Sequence, residues 1–431
     1  MKNIFTLLLT LQGLLMAASL NEITIKDSKV PVVFEESTHL PIVSIQLVFK
    51  NAGHLSNTID GQADMAAKLL NEGTSKEGSI GFATKLDAHA VDIGAHVGRE
   101  SLVIEVSSLK SEFPYAVARL IELLKDPNYT AEALEQIKHQ KLGWLMQKKS
   151  DFNHVAANAL RATLFKGSSL ARPYDGTVES IEKLKLEDIK TFISTHLGYN
   201  NVIGVVGGDI SPEESTKYLE EILTLLPKVE TRDVEKVTAS DKKEVEYIEE
   251  DTQQAYIFFG APFNYAYNEK DQYKAKIAEY LLGGAGFGSR MMEEIRVKRG
   301  LTYGIYASLR RTKSVSYMSG YMQTKLSTQE EAKELIQSVV DDFVKNGITQ
   351  EELDSTKEFL LGSEPLRMET LSQRLGRAYN DYYYERPLNF AKEQLAKIES
   401  VTLKEMNDFI TSHKELSDIT FSIVTKEKNK K

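Results

Sequence analysis

Two stretches of the chain match in register: Ile181-Glu182-Lys183-Leu184-Lys185-Leu186-Glu187-Asp188-Ile189 and Ile398-Glu399-Ser400-Val401-Thr402-Leu403-Lys404-Glu405-Met406. The match continues through Phe192 against Phe409 and His196 against His413, and a short β-like stretch follows each copy. A long internal repeat indicates one structural unit used twice. Since 431 residues also suit two domains of about 200 residues, the sequence predicts two homologous domains.

Hydrophobic periodicity predicts the elements of each copy. Apolar residues alternate along three segments, as expected of half-buried strands: Val43, Ile45, Leu47 and Phe49; Leu102, Ile104 and Val106; Ala255, Ile257 and Phe259. Residues 115–124 and 131–146 have helical spacing, and Ser211-Pro212 is typical of a helix start. The predicted fold class is α+β, with a mixed, mostly antiparallel sheet and packed helices in each domain.

The chain ends and the middle segment set the predicted boundaries. Lys2, the apolar run 4–15 and the small residues 16–19 are typical of a signal peptide over 1–19, which implies export, most simply to the periplasm. Residues 228–250 are charged and poor in large apolar side chains, which favours a linker. The domains are therefore predicted at 20–227 and 251–431. An uncleaved N-terminal anchor remains the alternative to signal removal.

Composition excludes several function classes. The absence of cysteine excludes disulfides, thiolate nucleophiles and cysteine zinc sites. A net charge of −9 disfavours nucleic acid and anionic membrane surfaces as partners. The apolar run 4–15 is shorter than a membrane-spanning helix requires, so we expect no integral membrane segment after signal cleavage.

The segment 61–74, Gly-Gln-Ala-Asp-Met-Ala-Ala-Lys-Leu-Leu-Asn-Glu-Gly-Thr, resembles the pattern Gly-Leu-Ala-His-x-x-Glu-His-x-x-x-x-Gly-Thr of the pitrilysin/insulinase zinc peptidases. In that family the two histidines bind zinc and the glutamate activates water. Asp64, Ala67 and Lys68 stand at those three positions. Alanine has no donor atom and a lysine ammonium has no free lone pair, so the resemblance implies a vacated zinc site.

The third zinc ligand of the family, a later glutamate, also lacks a counterpart. Family spacing places it near Trp144, where no glutamate occurs, and Glu135 is too early in the sequence. Asp64 and Lys68, four residues apart on a helix, are instead suited to an ordinary ion pair. We therefore expect no zinc on this chain.

Histidines elsewhere offer a weak alternative metal site. His89 and His96 are seven residues apart, and on a helix that spacing is about 10 Å along the axis, too far for one ion. An autonomous peptidase with unusual ligands such as Asp64 and His89 nevertheless remains one of the three hypotheses.

The second half preserves more of the family pattern. Residues 282–304 contain a glycine-rich loop, with Gly283, Gly284, Gly286 and Gly288, followed by Arg-x-x-x-Gly-Leu-x-Tyr beginning at Arg296 and ending at Tyr303. The resemblance implies that Arg296 and Tyr303 grip the substrate backbone and that the glycines line a substrate chamber. Because a helical segment, not a strand, precedes the loop, nucleotide binding is disfavoured.

A further match is Arg172-Pro173-Tyr174 with Gly176-Thr177 and Glu179-Ser180-Ile181, for which we expect a turn and a helix start. The resemblance thus extends over nearly the whole chain after residue 20. Small members of this family pair two homologous subunits, of which one can lack zinc.

The sequence therefore favours a non-catalytic, substrate-binding subunit of a periplasmic heteromeric zinc peptidase, inactive alone. Its expected partners are a homologous zinc-bearing subunit and a peptide substrate. The alternatives are a structural or peptide-binding module without a proteolytic partner, and the autonomous peptidase already described.

Overall fold

Two sheets, each formed mainly within one half of the chain, organise the computed structural model. It describes residues 18–426. The predicted signal peptide lies outside this range except for residues 18 and 19, and Ser19 begins the first strand. No helix among residues 18–426 is both long enough and apolar enough to cross a membrane.

The first sheet has six strands in the order β1-β2-β6-β3-β5-β4. All neighbours are antiparallel except β2 and β6, which are parallel. The strands are β1 Ser19–Ile25, β2 Ser28–Glu36, β3 Ile42–Lys50, β4 Asp92–Val97, β5 Ser101–Leu109 and β6 Val202–Gly208.

The second sheet has five strands in the order β7-β11-β8-β10-β9, with only β7 and β11 parallel. These are β7 Val245–Glu249, β8 Gln254–Pro262, β9 Ile305–Arg311, β10 Ser316–Lys325 and β11 Thr420–Thr425. The linker prediction is wrong in part, because β7 lies inside 228–250 and belongs to the second sheet. Its alternating segment is short and mostly exposed, as in an edge strand, so its hydrophobic pattern predicts a strand only weakly.

The helices pack against these sheets in the same chain order in both halves. The first half contains α1 Gln62–Leu70, α2 Gly78–Ala88, α3 Phe113–Lys125, α4 Ala131–Lys148, α5 Phe152–Leu164, α6 Val178–Lys183, α7 Leu186–His196 and α8 Pro212–Leu223. The second contains α9 Gln272–Glu279, α10 Gln329–Asn346, α11 Gln350–Gly362, α12 Leu371–Tyr383, α13 Phe390–Ser400 and α14 Leu403–Ser412. The predicted mixed α+β class is confirmed.

The internal repeat corresponds to equivalent elements. Its first copy covers the end of α6 and the start of α7, and its second covers the end of α13 and the start of α14. The strand order also matches: β3 lies between β6 and β5, as β8 lies between β11 and β10. Each half buries its own hydrophobic core between its sheet and its helices.

Each half also contributes one helix to the outer face of the other half's sheet. Helix α5 packs on β8 and β11, and α12 packs on β2 and β6. Glycine allows close approach at both crossings: a Cβ at Gly260 would lie 2.9 Å from the Leu164 side chain, and one at Gly207 would lie 2.3 Å from that of Leu375. The two halves therefore interlock.

Candidate functional site

Helix α1 carries the vacated zinc motif and is held firmly at its start. Gly61 has a left-handed backbone (φ 85°), and the Asn57 side-chain oxygen accepts a hydrogen bond from the Ala63 backbone N–H at 2.8 Å. Arg172 forms an ion pair with Asp60 at 2.6 Å and donates to carbonyl groups of the same loop. The segment around Arg172, for which we predicted a turn, thus fixes where α1 begins.

None of the three family zinc-motif positions is free to hold a metal. Asp64 forms an ion pair with Lys141 of α4 at 2.9 Å, and Ala67 is 4% exposed in the core. The predicted Asp64–Lys68 pair is wrong, since among residues 18–426 Lys68 makes no ion pair and Asp64 reaches across to α4 instead. The side chains present do not fit zinc.

Lys141 occupies the centre of this cluster. Its side chain is 4% exposed, and its ammonium lies 2.9 Å from Asp64, 3.1 Å from Asp175 and 4.2 Å from the centre of the Trp144 ring. A buried ammonium requires this compensation, because burial of an unpaired charge is strongly unfavourable. A protein cation therefore neutralises Asp64 from within the chain.

The positions considered for the third ligand do not supply one. Trp144, one turn after Lys141, places its ring on the ammonium as a cation–π partner. The side chain of Glu135 is 72% exposed and pairs with Lys138 on the same helix at 3.4 Å. The residue of α4 that contacts α1 at this point is thus a lysine, Lys141, and not a carboxylate.

Aromatic and cationic residues extend the Asp64–Lys141 cluster. His54 stacks on Tyr174 with ring centres 5.2 Å apart, and the Arg161 guanidinium lies 4.1 Å from the Tyr174 ring. Burial lowers the pKa of His54, while the charges of Asp64 and Asp175 act in the opposite direction. The neutral imidazole is therefore favoured.

Sequence reasoning missed four members of the cluster: His54, Lys141, Arg161 and Asp175. Two weak signals pointed to them. Lys141 lies one helical turn before the position aligned with the third ligand, and Asp175 lies inside the Pro-Tyr stretch that was matched to the family. His54 has no comparable signal in the sequence.

The histidines considered as alternative ligands lie elsewhere. His89 pairs with Glu112 at 2.8 Å and stacks on Tyr115, and His96 is an exposed residue of β4. Within residues 18–426, no group of three or more histidine, aspartate or glutamate side chains is placed to hold a metal ion. Asp64 and His89 are instead paired separately, with Lys141 and Glu112 respectively.

The four glycines of the second half have different environments. A Cβ at Gly283 would lie 2.6 Å from the Ala307 backbone nitrogen of β9, so this buried glycine permits close packing and does not face a chamber. Gly284 and Gly288 are exposed, and Gly286 has a left-handed backbone (φ 59°). Only the later part of the loop can therefore contact a ligand.

Arg296 lies between two exposed aromatic rings. Its guanidinium carbon is 4.4 Å from the centre of Phe287 and 4.7 Å from that of Tyr303. Phe287 is 66% exposed and Tyr303 is 88% exposed. Arg296 and Tyr303, which the resemblance implies act on the same substrate, are thus neighbours in the structure, and β9 begins at Ile305, two residues after Tyr303.

Phe287 was not identified from the sequence, although it is the only aromatic residue of the glycine-rich loop. Within residues 18–426, Arg296 forms no ion pair, so its charge is available to a ligand. A guanidinium and a phenol are donors suited to peptide carbonyl oxygens. Gly300 (φ 63°) supports the turn between them.

Comparison with known proteins gives the family. Residues 31–178 match the family described as Insulinase (Peptidase family M16), and residues 183–360 match the Peptidase M16 inactive domain. A protein called Non-peptidase homolog YmxG, from Helicobacter pylori, is 42% identical over the full length of both chains. The chain therefore belongs to the insulinase family, peptidase family M16.

More distant similarities agree with the fold. An uncharacterized zinc protease of Streptomyces coelicolor is 21% identical, covering 80% of this chain and 76% of the relative. The peptidase M16 inactive domain from Pseudomonas fluorescens superposes with a TM-score of 0.87 at 24% identity, covering 96% of this chain and 99% of the other. The periplasmic protease PqqL from Escherichia coli gives 0.76 at 14% identity, covering 95% and 48%.

Proposed function

We propose that this chain is the non-catalytic, substrate-binding subunit of a heteromeric zinc peptidase of the periplasm. The observation that carries the proposal is the contrast between its two sites. Lys141 neutralises the carboxylate at the first family zinc position, while Tyr303 is exposed and the half-buried Arg296 forms no ion pair within residues 18–426. The name of the Helicobacter pylori relative supports a non-peptidase role.

In this proposal a homologous partner holds the zinc, which supplies the Lewis acid for peptide hydrolysis. This chain closes the chamber and binds the peptide. Arg296 donates hydrogen bonds to a substrate carbonyl, Phe287 and Tyr303 orient its guanidinium, and the Tyr303 hydroxyl donates to a second acceptor. The similarity to a periplasmic protease supports the compartment.

Arg296→Ala tests the proposed binding role. Loss of one donor that contacts the reacting carbonyl typically lowers kcat about 100-fold or more, so the purified complex with the zinc subunit should lose most peptidase activity. The control is Arg299→Ala, because Arg299 is an exposed neighbour already paired with Glu294 at 2.8 Å. That variant should retain activity.

Tyr303→Phe keeps the ring against Arg296 and removes only the hydroxyl, so it should cause a smaller loss than Arg296→Ala. Full activity of both variants in the complex would contradict the proposed role. It would favour a structural module.

A further inference from the structure

We propose that a surface cleft between the two halves of the chain binds a phosphate group, either as inorganic phosphate or as part of a small phosphate monoester. The cleft has a volume of about 750 Å³ and is here called the basic cleft. Its cationic lining residues are Lys50, Arg232, Lys313 and Arg386. The inference goes beyond the proposed peptidase role and does not depend on it.

The cations of the basic cleft come from four separate segments. Lys50 is the last residue of β3, and Arg232 lies between α8 and β7. Lys313 lies in the turn between β9 and β10, and Arg386 follows the end of α12. A ligand bound by all four would therefore contact both halves of the chain.

Two carboxylates, Asp233 and Glu385, also line the basic cleft. Glu385 pairs with Lys313 at 2.7 Å, and Arg232 pairs with Glu230 at 2.8 Å. Two of the four cations therefore already have an acidic partner.

The other two cations, Lys50 and Arg386, are half-buried and form no ion pair within residues 18–426. Burial lowers the pKa of both side chains. The charge of Lys313 lowers the pKa of Lys50 further, while Asp233 acts in the opposite direction. Partly buried charges of the same sign without a counterion are unfavourable. An anion in the cleft would compensate them.

The second half shows that the fold does not require a cation at the position of Lys50. In the first sheet Val48 pairs with Ile203, and in the second sheet Gly260 pairs with the residue that the internal repeat equates with Ile203. Lys50, two residues after Val48, therefore corresponds to Pro262. Because the equivalent position is uncharged, the half-buried lysine needs an explanation other than the fold.

The backbone of the basic cleft includes unusual conformations. Within residues 18–426, four non-glycine residues have a positive φ, and two of them, Asn51 (47°) and Glu385 (59°), line this cleft. Such conformations are unfavourable for residues with a Cβ and are concentrated at functional sites. The Asn51 side-chain oxygen accepts a hydrogen bond from the Ser56 hydroxyl at 3.1 Å, so its amide nitrogen remains a donor for a ligand.

The set of donors favours phosphate over a carboxylate. Lysine ammonium groups bind phosphate as point charges, and a guanidinium can donate two parallel hydrogen bonds to it. Because these groups approach from different segments, they suit a tetrahedral oxyanion that accepts hydrogen bonds in several directions. The cleft is much larger than one phosphate ion, and Tyr382 in its lining can contact the organic part of a monoester.

Phosphorus NMR tests this inference, with inorganic phosphate and phenyl phosphate as probes titrated with the full chain at low ionic strength. Lys50→Gln should weaken binding about tenfold, because it removes a charge-assisted hydrogen bond. Lys50→Arg keeps the charge and should largely restore binding. The matched control is Lys183→Gln, which removes an exposed lysine paired with Glu179 outside the cleft and should bind like the unmodified chain.

A second variant tests the charge of the basic cleft with the opposite sign. Asp233→Asn removes an exposed carboxylate from the lining and should strengthen binding about threefold. Without phosphate, Lys50→Gln should have an unchanged or higher Tm, because it removes an uncompensated charge. A lower Tm would assign Lys50 a structural role and overturn the inference.

Tighter binding of phenyl phosphate would identify the ligand as a monoester, whereas tighter binding of inorganic phosphate would identify it as the free ion. Absence of binding by both probes would overturn the inference, as would equal affinities of Lys50→Gln and the unmodified chain. Succinate is a dianion without a phosphoryl group, and equally tight binding of succinate would contradict the assignment to phosphate.

Discussion

The site around Asp64 in the first domain is closed by its own side chains, whereas the site around Arg296 in the second is open. Lys141 is 4% exposed and contacts two carboxylates, while Tyr303 is 88% exposed. The two homologous domains thus differ: the polar residues of the first site are buried and paired with each other, whereas those of the second site are accessible. Charges that only stabilise a fold are compensated internally, whereas those left exposed and uncompensated are available for recognition.

Lys141→Met should show the largest effect on stability. It leaves Asp64 and Asp175 without their common cation, and breaking a buried pair on one side costs about 3 kcal/mol. The measurement is the free energy of unfolding in urea. Lys183→Met, which removes an exposed pair with Glu179, should change little.

Adding Asp64→Ala to Lys141→Met should recover part of the lost stability, because one uncompensated carboxylate is then removed. If Lys141→Met alone is as stable as the unmodified chain, the cluster is not a structural substitute for a metal.

Asp381, on the helix that the second half sends to the first sheet, should give a pH effect. Burial raises its pKa to about 6, and Arg386 and Arg377 only partly oppose this. The folded chain holds the proton more tightly than the unfolded chain, so stability should fall as pH rises from about 4 to about 6. Asp381→Asn should add about 2 kcal/mol at pH 7.

The measurement is the free energy of unfolding across this pH range for both proteins. Retention of the same fall in Asp381→Asn would assign the effect to another group.

The pKa of His54 should respond to the cluster. The ammonium of Lys141 lowers this pKa, and the carboxylates of Asp64 and Asp175 raise it. In Lys141→Gln the His54 pKa should therefore rise, as followed by NMR of the imidazole ring. An unchanged His54 pKa in Lys141→Gln would mean that the Lys141 charge does not act on His54.

Arg296→Met should leave stability almost unchanged, within about 0.5 kcal/mol, because its guanidinium contacts only two exposed rings and forms no ion pair in residues 18–426. Thermal unfolding checks this. A large loss of Tm would mean that the open site is structural, and the comparison between the two sites would fail.

The sequence predicted the fold well because its repeat and its alternating strands reflect burial directly. The segment at β7 was missed because an exposed edge strand has little hydrophobic alternation. Arg296 and Tyr303 could be paired through the family resemblance, and the structure brings them together because a short turn separates them.

The closed cluster was harder to predict. It brings together residues from five separate segments, and the partner of Asp64 is 77 residues away, on another helix. The four-residue spacing predicted Lys68 as the ion-pair partner of Asp64. In the folded chain Lys141 of α4 is that partner.

The most direct test of the account is the native mass and zinc content of the complex isolated intact from the envelope fraction through this chain. The account predicts a stoichiometric homologous partner that contains the zinc motif, with one zinc per pair. Recovery of the chain alone with bound zinc would contradict it and favour an autonomous peptidase. Recovery alone without metal would also contradict it and favour a binding module.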